Sequence, residues 1–95
     1  MDELARRAEL FKALGDPLRL SILDRLAAGP RCVCDLREEL SIAGNLLSHH
    51  LKVLREAGLV RSERQGRWVT YAVEADALEA ARQALPGQPL ALVEA

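Results

Sequence analysis

Cys32 and Cys34 stand one residue apart and are the only two thiols of the chain. Thiolates are the natural ligands of soft, thiophilic ions. As(III) and Sb(III) are such species: they take two or three sulfurs, and an exogenous thiol or hydroxide can fill a vacancy. A structural zinc site needs about four protein ligands, and no histidine lies near the pair to supply the rest. Cadmium and lead prefer more thiolates than two. The pair therefore favours As(III) or Sb(III). Another soft metal (Cd, Pb or Cu(I)), or reversible oxidation of the dithiol, stands as the alternative, and two small residues filling the start of a helix is the plainest reading. A structural disulfide is not expected, because the chain reads as cytosolic, where thiols stay reduced. Residues i and i+2 of a helix point about 200° apart. Ligation of one ion by both sulfurs is therefore expected to unwind or bend the first turn of the helix they open.

A second constellation follows ten residues later. Asn45, Ser48, His49, Lys52 and Glu56 share one face of a helical stretch, opposite the apolar stripe Leu47, Leu51 and Leu54. Asn can pair with adenine in a bidentate way, Ser and His can meet base edges or phosphates, and Lys suits phosphate. Downstream, Arg64 and Arg67 flank a turn and could reach phosphates or an adjacent minor groove. The adjacent His49 and His50 diverge by about 100° on a helix, so one is expected to face DNA and the other to pack or hydrogen-bond near the core. Between Gly44 and Arg67 five basic residues face two acids, a local charge of +3 in a chain of net charge −1.

These residues need a scaffold. A first helix is expected over 2–14, with Leu4, Ala8, Leu10, Phe11 and Leu14 in helical register. Gly15 ends it, and Asp16-Pro17 opens a second helix whose inner side carries Leu18, Ile22, Leu23 and Leu26. Gly29-Pro30 stops that helix. A third spans roughly Cys34–Leu40 and a fourth about Asn45–Ala57, closed by Gly58. Two helices joined by so short a turn form a helix-turn-helix. Leu59–Arg64 and Arg67–Val73 read as strands with Gln65-Gly66 turning between them, which makes a wing. A fifth helix covers about 75–85, with Ala77, Leu78, Ala81 and Leu85 apolar. The fold class is thus mainly α with a small β hairpin: a winged helix-turn-helix of about five helices over residues 1–85, followed by a tail at 86–95.

With 95 residues, 49% of them apolar and 3% aromatic, the chain makes one small domain of the size that dimerisation often stabilises. No apolar run approaches the roughly 20 residues of a membrane span. Met1-Asp2-Glu3 leads straight into a charged helical pattern, so a cytoplasmic protein without a leader is expected. An enzyme is not: there is no glycine-rich nucleotide loop, no acid/base pair at useful spacing and no nucleophile triad.

Four strings now carry a resemblance: Phe11–Arg19 (FKALGDPLR), Cys32–Leu36 (CVCDL), Leu47–Val60 (LSHHLKVLREAGLV), and Gly66-Arg67 ahead of Tyr71. Over about residues 8–74 the chain resembles the ArsR/SmtB family of metal-responsive winged-helix repressors, and its cysteine pair is similar to that of the arsenic-responsive members. The resemblance implies a homodimer paired through the first and fifth helices and an imperfect inverted-repeat operator in double-stranded DNA. It also implies DNA affinity that needs no cofactor and is lowered when the inducer, As(III) or Sb(III), binds Cys32 and Cys34. The chain departs from the family pattern where Gly44-Asn45 replaces the common Gln-Ser or Gln-Pro opening of the reading helix. It also lacks a histidine in the fifth helix, where some members build a zinc site, so that Asp76 and Glu79 alone would be a poor one. The third cysteine of the fullest arsenic-sensor pattern would fall near Arg37. Two rivals are a winged helix used for protein–protein contact and a repressor whose ligand is no metal.

Overall fold

The computed structural model describes residues 2–87. Met1 and most of the tail expected at 86–95 lie outside the described residues. The elements run α1 (Glu3–Leu14), α2 (Pro17–Ala27), β1 (Arg31–Cys32), α3 (Val33–Leu40), α4 (Gly44–Glu56), β2 (Val60–Gln65), β3 (Trp68–Val73) and α5 (Ala75–Gln83). Local chemistry sets several of these boundaries. Asp2 caps α1 by accepting from the Ala5 N–H at 2.7 Å. Asp16 caps α2 by accepting from the Leu18 and Arg19 N–H groups at 2.8 and 3.2 Å, with Pro17 supplying a first-turn residue that has no N–H to satisfy. At the far end of α4, Gly58 adopts φ +78. Its N–H donates to Arg55 O at 2.9 Å while that of Leu59 donates to Leu54 O at 3.0 Å, the paired bonds of a Schellman stop.

The core is built where the apolar periods predicted it. Ile22 and Leu26 of α2, Leu36 of α3, Leu47, Leu51 and Leu54 of α4, and Leu59 are fully buried. Each such side chain removed from water contributes about 1.5–3 kcal/mol, and together they fix α3 and α4 against α2. Helix α1 behaves differently. Only Ala13 of it is buried, Leu10 and Leu14 pack at the edge of the core, Ala8 is exposed, and Leu4 is 71% exposed. Its apolar stripe is thus left largely open in the single chain.

The sheet is three-stranded and antiparallel, in the order β1-β3-β2. Strand β1 was not foreseen: its two residues pair as Arg31↔Tyr71 and Cys32↔Thr70. The hairpin register places Gln65 opposite Trp68. The two-residue turn is therefore Gly66-Arg67, one position later than expected. Gly66 takes φ +63 at the first central position, a conformation that glycine adopts without a Cβ clash and that tight hairpins need. Helix α5 ends at Gln83, so Leu85 lies beyond it and is 61% exposed.

Candidate sensing site and nucleic-acid interface

Gly29 and Pro30 end α2, and the chain then runs extended for the two residues of β1. At Cys32 the backbone is still extended, with φ −76 and ψ 158, and helix α3 begins one residue later at Val33. This overturns the geometric expectation for the pair. Cys32 is the cap of α3, not a residue within it, so the 200° rule does not apply, and its side chain swings over the helix start onto Cys34. The two cysteines, expected as free thiols, are joined as a disulfide with their Cα atoms 5.4 Å apart. No unwinding of a helical turn is needed to bring both sulfurs to one point.

The ligating atoms of Cys32, Cys34 and Asp35 all lie within 4.8 Å of one another. Cys32 is half-buried, and Cys34 and Asp35 are exposed. Asp35 was not among the expected site residues. Its place in the first turn of a helix, directly after Cys34, was the available signal. It is also bound to the pair through its backbone: its N–H donates to Cys32 Sγ at 3.4 Å. That bond satisfies one of the N–H groups a helix start leaves open.

Two routes lead away from these sulfurs. Leu36, next after Asp35, is fully buried in the same core as Leu47 and Leu51 of α4. Across the sheet, Cys32 faces Thr70, which faces Glu63 on the outer wing strand. Around the site, Glu39 pairs with Arg31 at 3.5 Å and Arg25 at 3.7 Å. These pairs are part-exposed and worth little individually.

The second constellation lies on α4 and the wing. Asn45, Ser48, His49 and Lys52 are exposed on α4, and Arg64 and Arg67 are exposed on the wing, Arg67 in the turn itself. Lys52 lies 3.9 Å from Glu56 one turn on, a loose pair that leaves the ammonium free to turn to another anion. Ala43 at the start of α4 makes no side-chain cap, so the first N–H groups of the helix stand open, as an anion-binding helix end requires. The structure therefore gathers the four α4 residues on one solvent face and the two arginines at the end of the hairpin. The histidines diverge: His49 is exposed, while His50 is 7% exposed with its Nδ1 3.2 Å from Arg19 Nη1. Burial holds the His50 ring below the ordinary histidine range. Asp16 opposes this, and Arg19 and His49 add to it. Trp68, 56% exposed beside the turn, and Arg19 are further residues that the sequence reading had not singled out.

No helix among the described residues is long and apolar enough to cross a membrane. Between α1, α4 and α5 runs a groove floored by Leu10, Ala13, Val53, Ala57, Ala77 and Ala80 and rimmed by charged side chains of α1.

Residues 16–62 match the family described as bacterial regulatory protein, arsR family. The chain is 43% identical over 77 residues to an uncharacterized HTH-type transcriptional regulator of Methanocaldococcus jannaschii, covering 80% of this chain and 86% of that protein. It is 45% identical over 71 residues to the arsenical resistance operon repressor of Bacillus subtilis, covering 73% and 68%. A crystal structure of an ArsR family transcriptional regulator superposes with a TM-score of 0.77 at 30% identity, covering 86% and 84% of the two chains. These relatives are transcriptional regulators and not enzymes.

Proposed function

Since the chain belongs to the ArsR/SmtB family of winged-helix transcriptional repressors, we propose that it binds an inverted-repeat operator as a homodimer and is released when As(III) or Sb(III) is held by Cys32 and Cys34. The observation that carries the reading is the convergence of both sulfurs and the Asp35 carboxylate at the start of α3. The donor set is two soft sulfurs and one oxygen, which suits a thiophilic ion that keeps a hydroxide or takes a carboxylate in its third position. In the ligation step, arsenous acid exchanges two hydroxides for the two thiolates. Two As–S bonds form, and two waters leave with the two thiol protons. The disulfide must first be reduced by an external thiol, because only thiols or thiolates can make that exchange.

The ion acts on DNA through the residues that hold the sulfurs. An ion on Cys32 Sγ competes for the lone pair that accepts the Asp35 N–H. Loss of that cap loosens the first turn of α3, which carries the buried Leu36 against α4. The same ion pulls on β1, whose partner β3 forms half of the wing. The proposed DNA face is Asn45, Ser48, His49 and Lys52 in the major groove, with Arg64 and Arg67 on phosphates or in the minor groove. The open apolar stripe of α1 and the groove it forms with α5 are the proposed seat of the second subunit, with the two reading helices about 34 Å apart.

A second reading has its own support. The cysteines are bonded to each other in the structure, so oxidation of the dithiol is a competing trigger at the same place. One experiment separates them. As(III) is titrated into reduced protein bound to fluorescent DNA from its own promoter, beside a Cys32→Ser/Cys34→Ser variant, and peroxide is titrated in parallel. Release of the wild type alone by As(III) supports the thiol-based sensor. Release by peroxide only moves the trigger to oxidation. Release of both proteins by As(III) sinks the assignment to these cysteines.

A further inference from the structure

We infer that Arg19 is a positioning residue for DNA reading: its guanidinium clamps the reading helix α4 to the C-terminal turn of α1, with His50 as the receiving group on α4. The inference rests on the reading of α4 as the DNA-contacting helix. Arg19 spends its nitrogens on two helices other than its own. Nε donates to Ala13 O at 2.7 Å and Nη2 to Lys12 O at 3.4 Å, both carbonyls of the last turn of α1, where a helix end leaves acceptors to fill, although Lys12 O also takes the Gly15 N–H at 3.2 Å. Nη1 meets His50 Nδ1 at 3.2 Å. A guanidinium has no acceptor and does not lose its charge. In this contact Nδ1 must therefore accept, and the ring must be neutral with its proton on Nε2.

The surroundings fit that state. His50 is buried while its neighbours Ser48 and His49 are exposed, so a shift of the His50 ring carries the reading face with it. The charged and titratable groups facing the ring are Asp16 at the cap of α2, Arg19 of α2 and His49 of its own helix. Asp16 is committed to capping α2, accepting from the Arg19 N–H, which holds the base of the clamp. A second arginine continues the chain: Arg7 Nε donates to Ala84 O at 3.1 Å, tying α1 to the residue after α5. Hydrogen bonds thus run from the end of α5 through α1 and Arg19 to the reading helix. A lysine at residue 19 could not span this, since one ammonium cannot meet three acceptors laid out for a planar fork.

The test is a mutant cycle read as affinity for a labelled duplex from upstream of the protein's own gene, with circular dichroism to confirm folding. Arg19→Ala and His50→Ala are each expected to weaken binding roughly fivefold or more. The double variant is expected to be no weaker than the worse single, because both remove one contact. His50→Gln should retain binding, since its amide oxygen can still accept, whereas Arg19→Lys should not. A merely structural role would not give the following pH signature. In a His49→Gln background, acidification from about pH 7.5 to well below the ordinary histidine value of 6.5 weakens binding once His50, which burial holds below that value, protonates against Arg19. Adding His50→Gln removes that fall. Losses that multiply in the double variant, or a fall that persists with His50→Gln, overturn the clamp. If Arg19→Ala does not fold, the His50 variants and the pH series decide alone. Failure of the wild type to bind any duplex at low salt would instead strike the DNA-reading assignment.

Discussion

Replacing Cys32 by serine should make the reduced protein more stable while abolishing its response to As(III). Cys32 occupies the cap of α3 with φ −76 and ψ 158, and its sulfur accepts the Asp35 N–H at 3.4 Å. Sulfur is a weak acceptor, while serine is among the preferred capping residues, and a good cap contributes about 1 kcal/mol over a non-capping residue. Helix α3 has only eight residues, so its cap is a large part of what holds its first turn. Serine has nearly the same shape and leaves the backbone pairing with Thr70 intact. Crediting the sulfur with about half the value of a good cap, the gain is about 0.5 kcal/mol, or roughly 2–4 °C in Tm for a domain of this size. The assay is thermal unfolding of reduced wild type and Cys32→Ser at one fixed protein concentration, because association shifts apparent stability. A variant less stable than the reduced wild type would refute the capping role. A variant still released from DNA by As(III) would refute the ligand role.

Three further outcomes follow from particular contacts. Gly58→Ala forces a Cβ into φ +78 and should cost about 1–2 kcal/mol, read as a lower urea midpoint at unchanged m value. Arg67→Ala and Lys52→Ala, each removing one exposed cation from the proposed DNA face, should each reduce the slope of log affinity against log salt by about 1 and weaken unrelated duplexes equally. Stability should fall on acidification below the ordinary histidine value of 6.5, because His50 is held below it by burial and the unfolded chain takes up that proton first. The loss grows until the folded ring protonates as well, and chemical denaturation of His50→Gln should show a shallower decline over the same range.

Local chemistry made much of the scaffold readable. Gly15-Asp16-Pro17 carries both a stop and a start, Leu47, Leu51 and Leu54 fall on one helical face, and Gly58 marks the end of α4. What escaped the sequence depends on contacts between distant residues. Arg31-Cys32 is too short to show a strand period, and its partners Tyr71 and Thr70 lie about forty residues on. This one pairing decides that Cys32 precedes α3, and with it that the two sulfurs converge without unwinding. The wing turn moved by one residue because alternation alone does not fix hairpin register, while the left-handed φ of Gly66 does. The stripe on α1 was legible as amphipathic, but a period cannot say whether its partner is the chain's own core or another surface. Helical spacing separated His49 from His50, yet nothing in it pointed to Arg19, which reaches His50 from another helix.

In the proposed function, an ion on Cys32 and Cys34 and the operator DNA oppose each other through one protein. The most direct measurement is the As(III) affinity of the reduced protein, free and saturated with promoter DNA. DNA should weaken As(III) binding by roughly 5–150-fold, and by the same factor as As(III) weakens DNA binding. Equal As(III) affinities in the two states would contradict that opposition.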